Sequence, residues 1–114
     1  MKIEKFEDIV VWQKTRDLTL ILYRIFKSSR DFSFRDQILR ASISIMNNIA
    51  EGFERNTNKE FKQFLFIAKG SSGEVRSMII LALDLQYIKR QEYTSLYSLS
   101  IEISKMLSGF IKTL

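Results

Sequence analysis

Arg55, Lys59 and Lys62 gather three cations around one predicted turn, and Lys89 and Arg90 form a second basic pair at another. Cations grouped this way suit phosphate, because each one that pairs with a phosphate releases a condensed counterion. A predicted helix start at Thr57 or Asn58 would add free backbone amides and the positive end of a helix dipole, both of which favour anions. Arg35 and Arg40 lie on the preceding helix. Tyr87, Tyr93 and Tyr97, near the second pair, offer aromatic faces that could stack on single-stranded bases or simply pack at the rim of a core. A solvated set of helix-end charges would have the same composition, so both readings stand at this point.

A second constellation is a stripe. Arg40, Ser44, Asn47, Asn48 and Glu51 project within an arc of about 100° of one predicted helix, roughly Phe34 to Phe53. Ile38, Leu39, Ile43, Ile45, Met46, Ile49, Ala50 and Phe53 spread over the rest. A helix apolar over so wide an arc needs more than one neighbour, which predicts self-association. Buried between helices or subunits, the stripe would have to satisfy its own hydrogen bonds and charges, since an unpaired buried charge is costly. The reading adopted is a structural polar network that fixes register; a ligand or nucleic-acid site is the alternative.

Catalytic and metal chemistry find little to work with. The chain has no His and no Cys, which removes the commonest general base, the commonest metal ligand and the thiolate nucleophile. Neither a Ser-His-Asp arrangement nor the Glu-x-x-His pairs of di-iron bundles can be assembled. Glu51, Glu74 and Asp84 are the carboxylates left for a metal, and none is assigned to one. Ser71 and Ser72 lie between Gly70 and Gly73, but the Lys-Ser or Lys-Thr of a phosphate-binding loop is missing and no strand precedes. Close helix packing through these small residues is expected instead. No catalytic residue and no cofactor is assigned, and the chain is read as non-enzymatic.

The 114 residues suit one domain, 1–114, and carry a formal charge of +5, a basic excess compatible with an anionic partner. A hydrophobic fraction of 46% with 27% charged residues describes an ordinary globular chain, so disorder is not expected. Met1 to Asp8 lacks the apolar core of a signal peptide, and no run reaches the ~20 apolar residues of a membrane span. A cytoplasmic, soluble protein with no membrane partner is the expectation.

Four helices must position these groups. The first is predicted from about Asp8 to Lys27, with Val11, Thr15, Leu18, Leu22 and Phe26 as its seam, flanked by Trp12 and Tyr23. Polar Ser28 to Ser33 ends it, the striped helix follows, and Gly52 lies near that helix's end. The third helix, roughly Lys59 to Ile88, carries its seam through Phe61, Leu65, Ala68, Ser72, Val75, Ile79 and Ala82. Gly70 and Gly73 are its weak point, at about 1 kcal/mol each against alanine. The seam keeps phase across them, which predicts one continuous helix. After Lys89 to Glu92, a fourth helix starts near Tyr93 with Leu96, Leu99, Ile103, Met106 and Phe110 along its seam. Short turns favour antiparallel neighbours, so the predicted fold is an all-α, up-down-up-down, antiparallel four-helix bundle.

The succession Phe6, Val11-Trp12-Gln13-Lys14, Asp36-Gln37-Ile38, Arg40-Ala41-Ser42, Ser44-Ile45, Asn48-Ile49-Ala50-Glu51-Gly52, Arg55, Glu60-Phe61, Phe64-Leu65, Ala68-Lys69-Gly70-Ser71 and Glu74 resembles the bacterial four-helix-bundle proteins. Some of these are encoded in intervening sequences of 23S ribosomal RNA genes. The resemblance covers most of the chain and is strongest from Phe34 to Ile88. One departure is visible: members often have a longer, proline-containing connection between the first two helices, where this chain has Ser28 to Ser33. The resemblance implies a homopentamer of antiparallel bundles arranged as a ring, with a basic surface for nucleic acid. It also implies kinship to an accessory protein of a diversity-generating reverse transcriptase.

The functional expectation is therefore a homo-oligomer, pentameric by resemblance, that binds nucleic acid through Arg55, Lys59, Lys62, Lys89 and Arg90 without strong sequence preference. The alternative is a protein-interaction scaffold, or an accessory subunit for a partner enzyme such as a reverse transcriptase. Phe64 and Phe66 cannot both face one bundle core, which adds to the expectation of self-association.

Overall fold

The computed structural model describes residues 2–114; residue 1, where the expected N-terminal segment and 1–114 domain begin, lies outside the described residues. A single 3-10 turn, Phe6–Asp8, leads into α1 (Val10–Phe26), α2 (Phe32–Phe53), α3 (Asn58–Asp84) and α4 (Arg90–Lys112). No strand occurs among the described residues. Each helix packs on its neighbours in sequence and α1 closes the ring against α4, whereas α1 and α3, and likewise α2 and α4, lie across the diagonals and face each other through the shared core. The molecule is thus a square four-helix bundle, 43 × 23 × 19 Å, with α1 and α3 at opposite corners.

The helices begin and end for identifiable reasons. Asp31 caps α2, its Oδ1 accepting from the Phe34 amide at 3.2 Å, which starts the helix two residues earlier than the apolar pattern suggests. Thr57 caps α3 by accepting from the Glu60 amide at 3.1 Å. α3 ends at Asp84, short of the predicted Ile88, because Gln86 turns left-handed at φ 61°. The Gln86 amide then donates to the Leu83 carbonyl at 3.0 Å and the Tyr87 amide to the Ala82 carbonyl at 2.9 Å, a Schellman closure built without glycine. Across Gly70 and Gly73 the helix is continuous, as the unbroken seam predicts.

The core follows two seams residue for residue. Val11, Thr15, Leu18, Leu22 and Phe26 of α1, and Phe61, Leu65, Ala68, Ser72, Val75, Ile79 and Ala82 of α3, are all buried. On α4 the buried line is Leu96, Ser100, Ile103, Leu107 and Ile111, so the predicted Leu99, Met106 and Phe110 are only half-buried. Buried hydroxyls turn back on their own helix: Thr15 donates to the Val11 carbonyl, Thr19 to Thr15, Ser42 to Leu39 and Ser100 to Tyr97, each at 2.8 Å. A polar atom satisfied this way can sit in the core at little cost.

The glycines reverse the expectation. A Cβ on Gly70 or Gly73 would meet nothing within 4 Å, so these two do not mediate close packing within the chain. Gly52 does. A Cβ there would lie 2.7 Å from Phe64 Cβ and 2.9 Å from Phe61 Cδ1, so its bare backbone sets the closest approach of α2 to α3.

Candidate nucleic-acid interface

Antiparallel topology collects the connections at two poles. One holds the α2–α3 turn beside the start of α1 and the end of α4. The other holds the α1–α2 and α3–α4 turns.

At the first pole the predicted cluster is diluted. Arg55 pairs with Glu51 at 3.1 Å, one helical turn back, and its guanidinium rests 4.8 Å above the Phe64 ring. Lys59 is exposed, whereas Lys62 is half-buried. The expected free amides at the start of α3 are partly used. Thr57 occupies the Glu60 amide, and the Thr57 hydroxyl donates to the Glu60 carboxylate at 3.3 Å. Glu51, Glu54 and Glu60 interleave with the three cations, which lowers the field available to a phosphate.

The second pole concentrates positive charge from three segments. Arg24 and Lys27 at the end of α1, Arg30 in the turn, and Lys89 and Arg90 at the start of α4 are all exposed. None of the five forms an ion pair among the described residues. Arg35, at the start of α2, pairs with Asp36 at 2.9 Å and lies 4.8 Å above the exposed Phe32 ring. Aromatic faces accompany the cations: Arg90 lies 5.8 Å above Tyr93, which is tilted against Tyr97 at 5.5 Å. A cleft of about 640 Å³ between α1 and α4 opens here, lined by apolar Ile21, Ile25 and Leu96, by Arg24, Tyr87 and Lys89, and by Glu92, which accepts from the Lys89 amide at 2.8 Å.

Tyr87 ties this pole together. Its ring packs edge-on against Phe34 at 5.3 Å, and its hydroxyl donates to Asp31 Oδ2 at 2.5 Å. The Tyr87 hydroxyl, and then the Phe34 amide, hold the Asp31 carboxyl below the usual carboxylate range, outweighing a small opposing effect of burial. The same bond raises the Tyr87 phenol, with burial and the Asp31 charge acting in the same direction. The N-cap of α2 is thereby fastened to the turn that presents Lys89 and Arg90.

The polar stripe is smaller than expected within one chain. Ser44 Oγ meets Ser71 Oγ at 2.9 Å, and Asn48 Nδ2 donates to the Ser44 carbonyl at 2.8 Å and to Ser44 Oγ at 3.1 Å. Arg40, Asn47 and Glu51 are exposed, and Glu51 turns to Arg55. The expected burial of Arg40 and Glu51 is therefore corrected for the single chain: both sit on the outward edge of α2, where water solvates them. Sequence reasoning missed Ser71 as the stripe's partner on α3, and missed Arg24, Lys27 and Arg30. The signal for these cations was their spacing around the end of α1, which antiparallel topology brings beside the α3–α4 turn.

Among the described residues no group of three or more Asp or Glu side chains is placed to hold a metal ion, and no helix is long and apolar enough to cross a membrane. The profile of the 23S rRNA-intervening sequence protein family matches residues 7–109. The crystal structure of a protein of unknown function from the S23 ribosomal protein family of Bacteroides thetaiotaomicron is similar, with a TM-score of 0.84 and 29% identity. That similarity covers 90% of this chain and 98% of the other. No curated protein matches the chain.

Proposed function

The chain belongs to the 23S rRNA-intervening sequence protein family, and from that premise we propose that it is a non-enzymatic, homo-oligomeric bundle that binds nucleic acid through its basic poles. The observation that carries this reading is the set of five exposed, ion-pair-free cations at the second pole, Arg24, Lys27, Arg30, Lys89 and Arg90. They come from three segments that only the fold brings together. Arg55, Lys59 and Lys62 form the weaker contact set, because glutamates lie among them.

Contacts of this kind hold phosphates without reading bases, so recognition is sequence-tolerant. Tyr93 and Tyr97 add stacking faces suited to a single strand. Assembly multiplies the effect: a pole with modest affinity becomes a multivalent surface when repeated around an oligomer, pentameric by resemblance to the family. The alternative, a scaffold or accessory subunit for a partner enzyme such as a reverse transcriptase, is favoured by one observation: Phe66, Ile67, Ile80, Leu81 and Leu85 of α3 are exposed.

The test is a titration of labelled single-stranded RNA and DNA at two salt concentrations, with the parent chain and Lys89→Glu/Arg90→Glu. The parent is expected to bind both with steeply salt-dependent affinity, and the variant to bind roughly tenfold or more weakly with a shallower slope. A parent whose affinity is absent, or independent of salt, would hand the lead to the scaffold reading.

A further inference from the structure

The cleft between the end of α1 and the start of α4 has a lining that phosphate contacts alone do not use. Half-buried Ile21 and Ile25 and buried Leu96 make an apolar floor. Tyr87 forms a wall of fixed position, since its ring packs on Phe34 at 5.3 Å and its hydroxyl donates to Asp31. The volume of about 640 Å³ falls within the roughly 300 to 1,000 Å³ of small-ligand sites. A phosphate gains nothing from such a floor. A flat heteroaromatic ring does, because its faces exchange water for contact with carbon.

The polar groups of the cleft sort by what they can accept. Gln91 and Ser95 are exposed, and each can both donate and accept. Glu92 is half-buried; its Oε1 accepts from the Lys89 amide, and an ionised carboxylate can only accept. That group repels a phosphate and suits an N–H donor, which every nucleobase carries on its pairing edge. Arg24 and Lys89, exposed and without an ion pair among the described residues, supply the opposite charge. The other acids of this side are Asp17, one helical turn from Ile21 towards the middle of α1, and Glu102, which Lys14 takes up at 3.4 Å. Positive charge therefore prevails at the pole, and acid towards the middle of the bundle.

We propose that this cleft receives one unstacked base of a single-stranded nucleic acid. The base lies on Ile21, Ile25 and Leu96 beside Tyr87, its N–H edge towards Glu92, while the flanking phosphates rest on Arg24 and Lys89. Charge sets this orientation, because the reverse would place a phosphate on Glu92. Lys27, Arg30 and Arg90 lie at the same pole outside the cleft, and together these cations serve more phosphates than a free nucleotide carries. A duplex is disfavoured as the occupant, since its bases are stacked and paired and extruding one costs free energy. The assignment rests on the nucleic-acid reading above and adds to it the class of strand and the seat of a base.

The test uses Gln91→Leu/Ser95→Leu, which fills the cleft with aliphatic carbon and leaves every charge and every aromatic ring in place. Both positions are exposed, so helicity is retained, as circular dichroism checks. Parent and variant are titrated with a labelled single-stranded oligodeoxynucleotide and with an abasic strand of the same length, at two salt concentrations. The parent should bind the base-bearing strand roughly fivefold or more tightly than the abasic one. The variant should lose most of that preference while keeping the parent's slope of log K against log salt, because no phosphate contact is removed. Tyr93 and Tyr97 do not line the cleft and are present in both proteins, so the comparison separates the cleft from stacking on those rings. A parent that binds the two strands equally, or a variant that keeps the parent's preference, would overturn the base site while leaving phosphate binding at the pole standing. A parent that binds neither strand would overturn both.

Discussion

Replacing Gly52 with alanine tests the packing of α2 on α3, since the new methyl would fall 2.7 Å from Phe64 Cβ, 2.9 Å from Phe61 Cδ1 and 3.3 Å from the Phe61 carbonyl oxygen. Phe64 Cβ is fixed by its backbone and the carbonyl by helix α3, so relief requires the helices to separate or Phe61 to rotate. Phe61 is 8% exposed and packs edge-on against both Phe53, at 6.1 Å, and Phe110, at 5.2 Å, so its rotation disturbs two further rings. Overpacking of this kind costs about 1 to 3 kcal/mol. Alanine's better helix propensity returns less than its usual ~1 kcal/mol, because Gly52 is the penultimate residue of α2. The net expectation is a loss of about 1 to 2 kcal/mol, or a melting point lower by roughly 4 to 12 °C. Gly109→Ala is the matched control: nothing lies within 4 Å of its Cβ, it sits inside α4, and it should leave stability unchanged or improve it by up to ~1 kcal/mol. Urea unfolding at one fixed protein concentration measures both. A Gly52→Ala variant as stable as the parent would refute the close approach.

The remaining predictions concern other joints of the bundle. Gln86→Gly should raise stability by about 0.5 to 1 kcal/mol, since glycine adopts the left-handed φ of 61° without the Cβ clash; a lower melting point would contradict the Schellman closure. Tyr87→Phe should change the pH profile of melting. The lowered Asp31 contributes stability that is present above the usual carboxylate range and lost as pH falls through its folded pKa, and the raised Tyr87 contributes stability that is lost as pH rises through the tyrosine range. Parent and variant curves should therefore lie furthest apart near neutrality and converge at both extremes; curves parallel at every pH would contradict the Asp31–Tyr87 bond. Ser71→Ala leaves Ser44 without its cross-helix partner and should cost about 1 kcal/mol, checked by the same urea titration.

Legibility in the sequence varied with how much of each element's surroundings its own residues specify. The seams of α1 and α3 were legible because one line of apolar residues stands out on each. α4 offers two lines that share Leu96 and Ile103, one through Leu99, Met106 and Phe110 and one through Ser100, Leu107 and Ile111. Ser100 interrupts the apolar pattern of the second, yet its hydroxyl is satisfied on its own backbone, and packing against α1 and α3 makes the choice. Gly52 resembled a helix-end marker, and Gly70 and Gly73 resembled a packing notch, because composition records a missing Cβ but not what lies opposite it. The end of α3 was hidden for the related reason that Gln86 occupies a position where glycine is the usual signal. The basic residues were visible as types. Their grouping was not, since Arg24, Lys27 and Arg30 join Lys89 and Arg90 only through the topology.

The most direct test of the central claim compares the two poles in one salt-dependence experiment on single-stranded RNA, using assembled protein with Lys89→Glu/Arg90→Glu at one pole and Lys59→Glu/Lys62→Glu at the other. The second-pole variant should lose more affinity, with a slope of log K against log salt shallower by about one unit per lost contact per engaged subunit; the first-pole variant should lose less. Two variants that assemble normally and keep the parent's affinity and slope would contradict nucleic-acid binding through these surfaces.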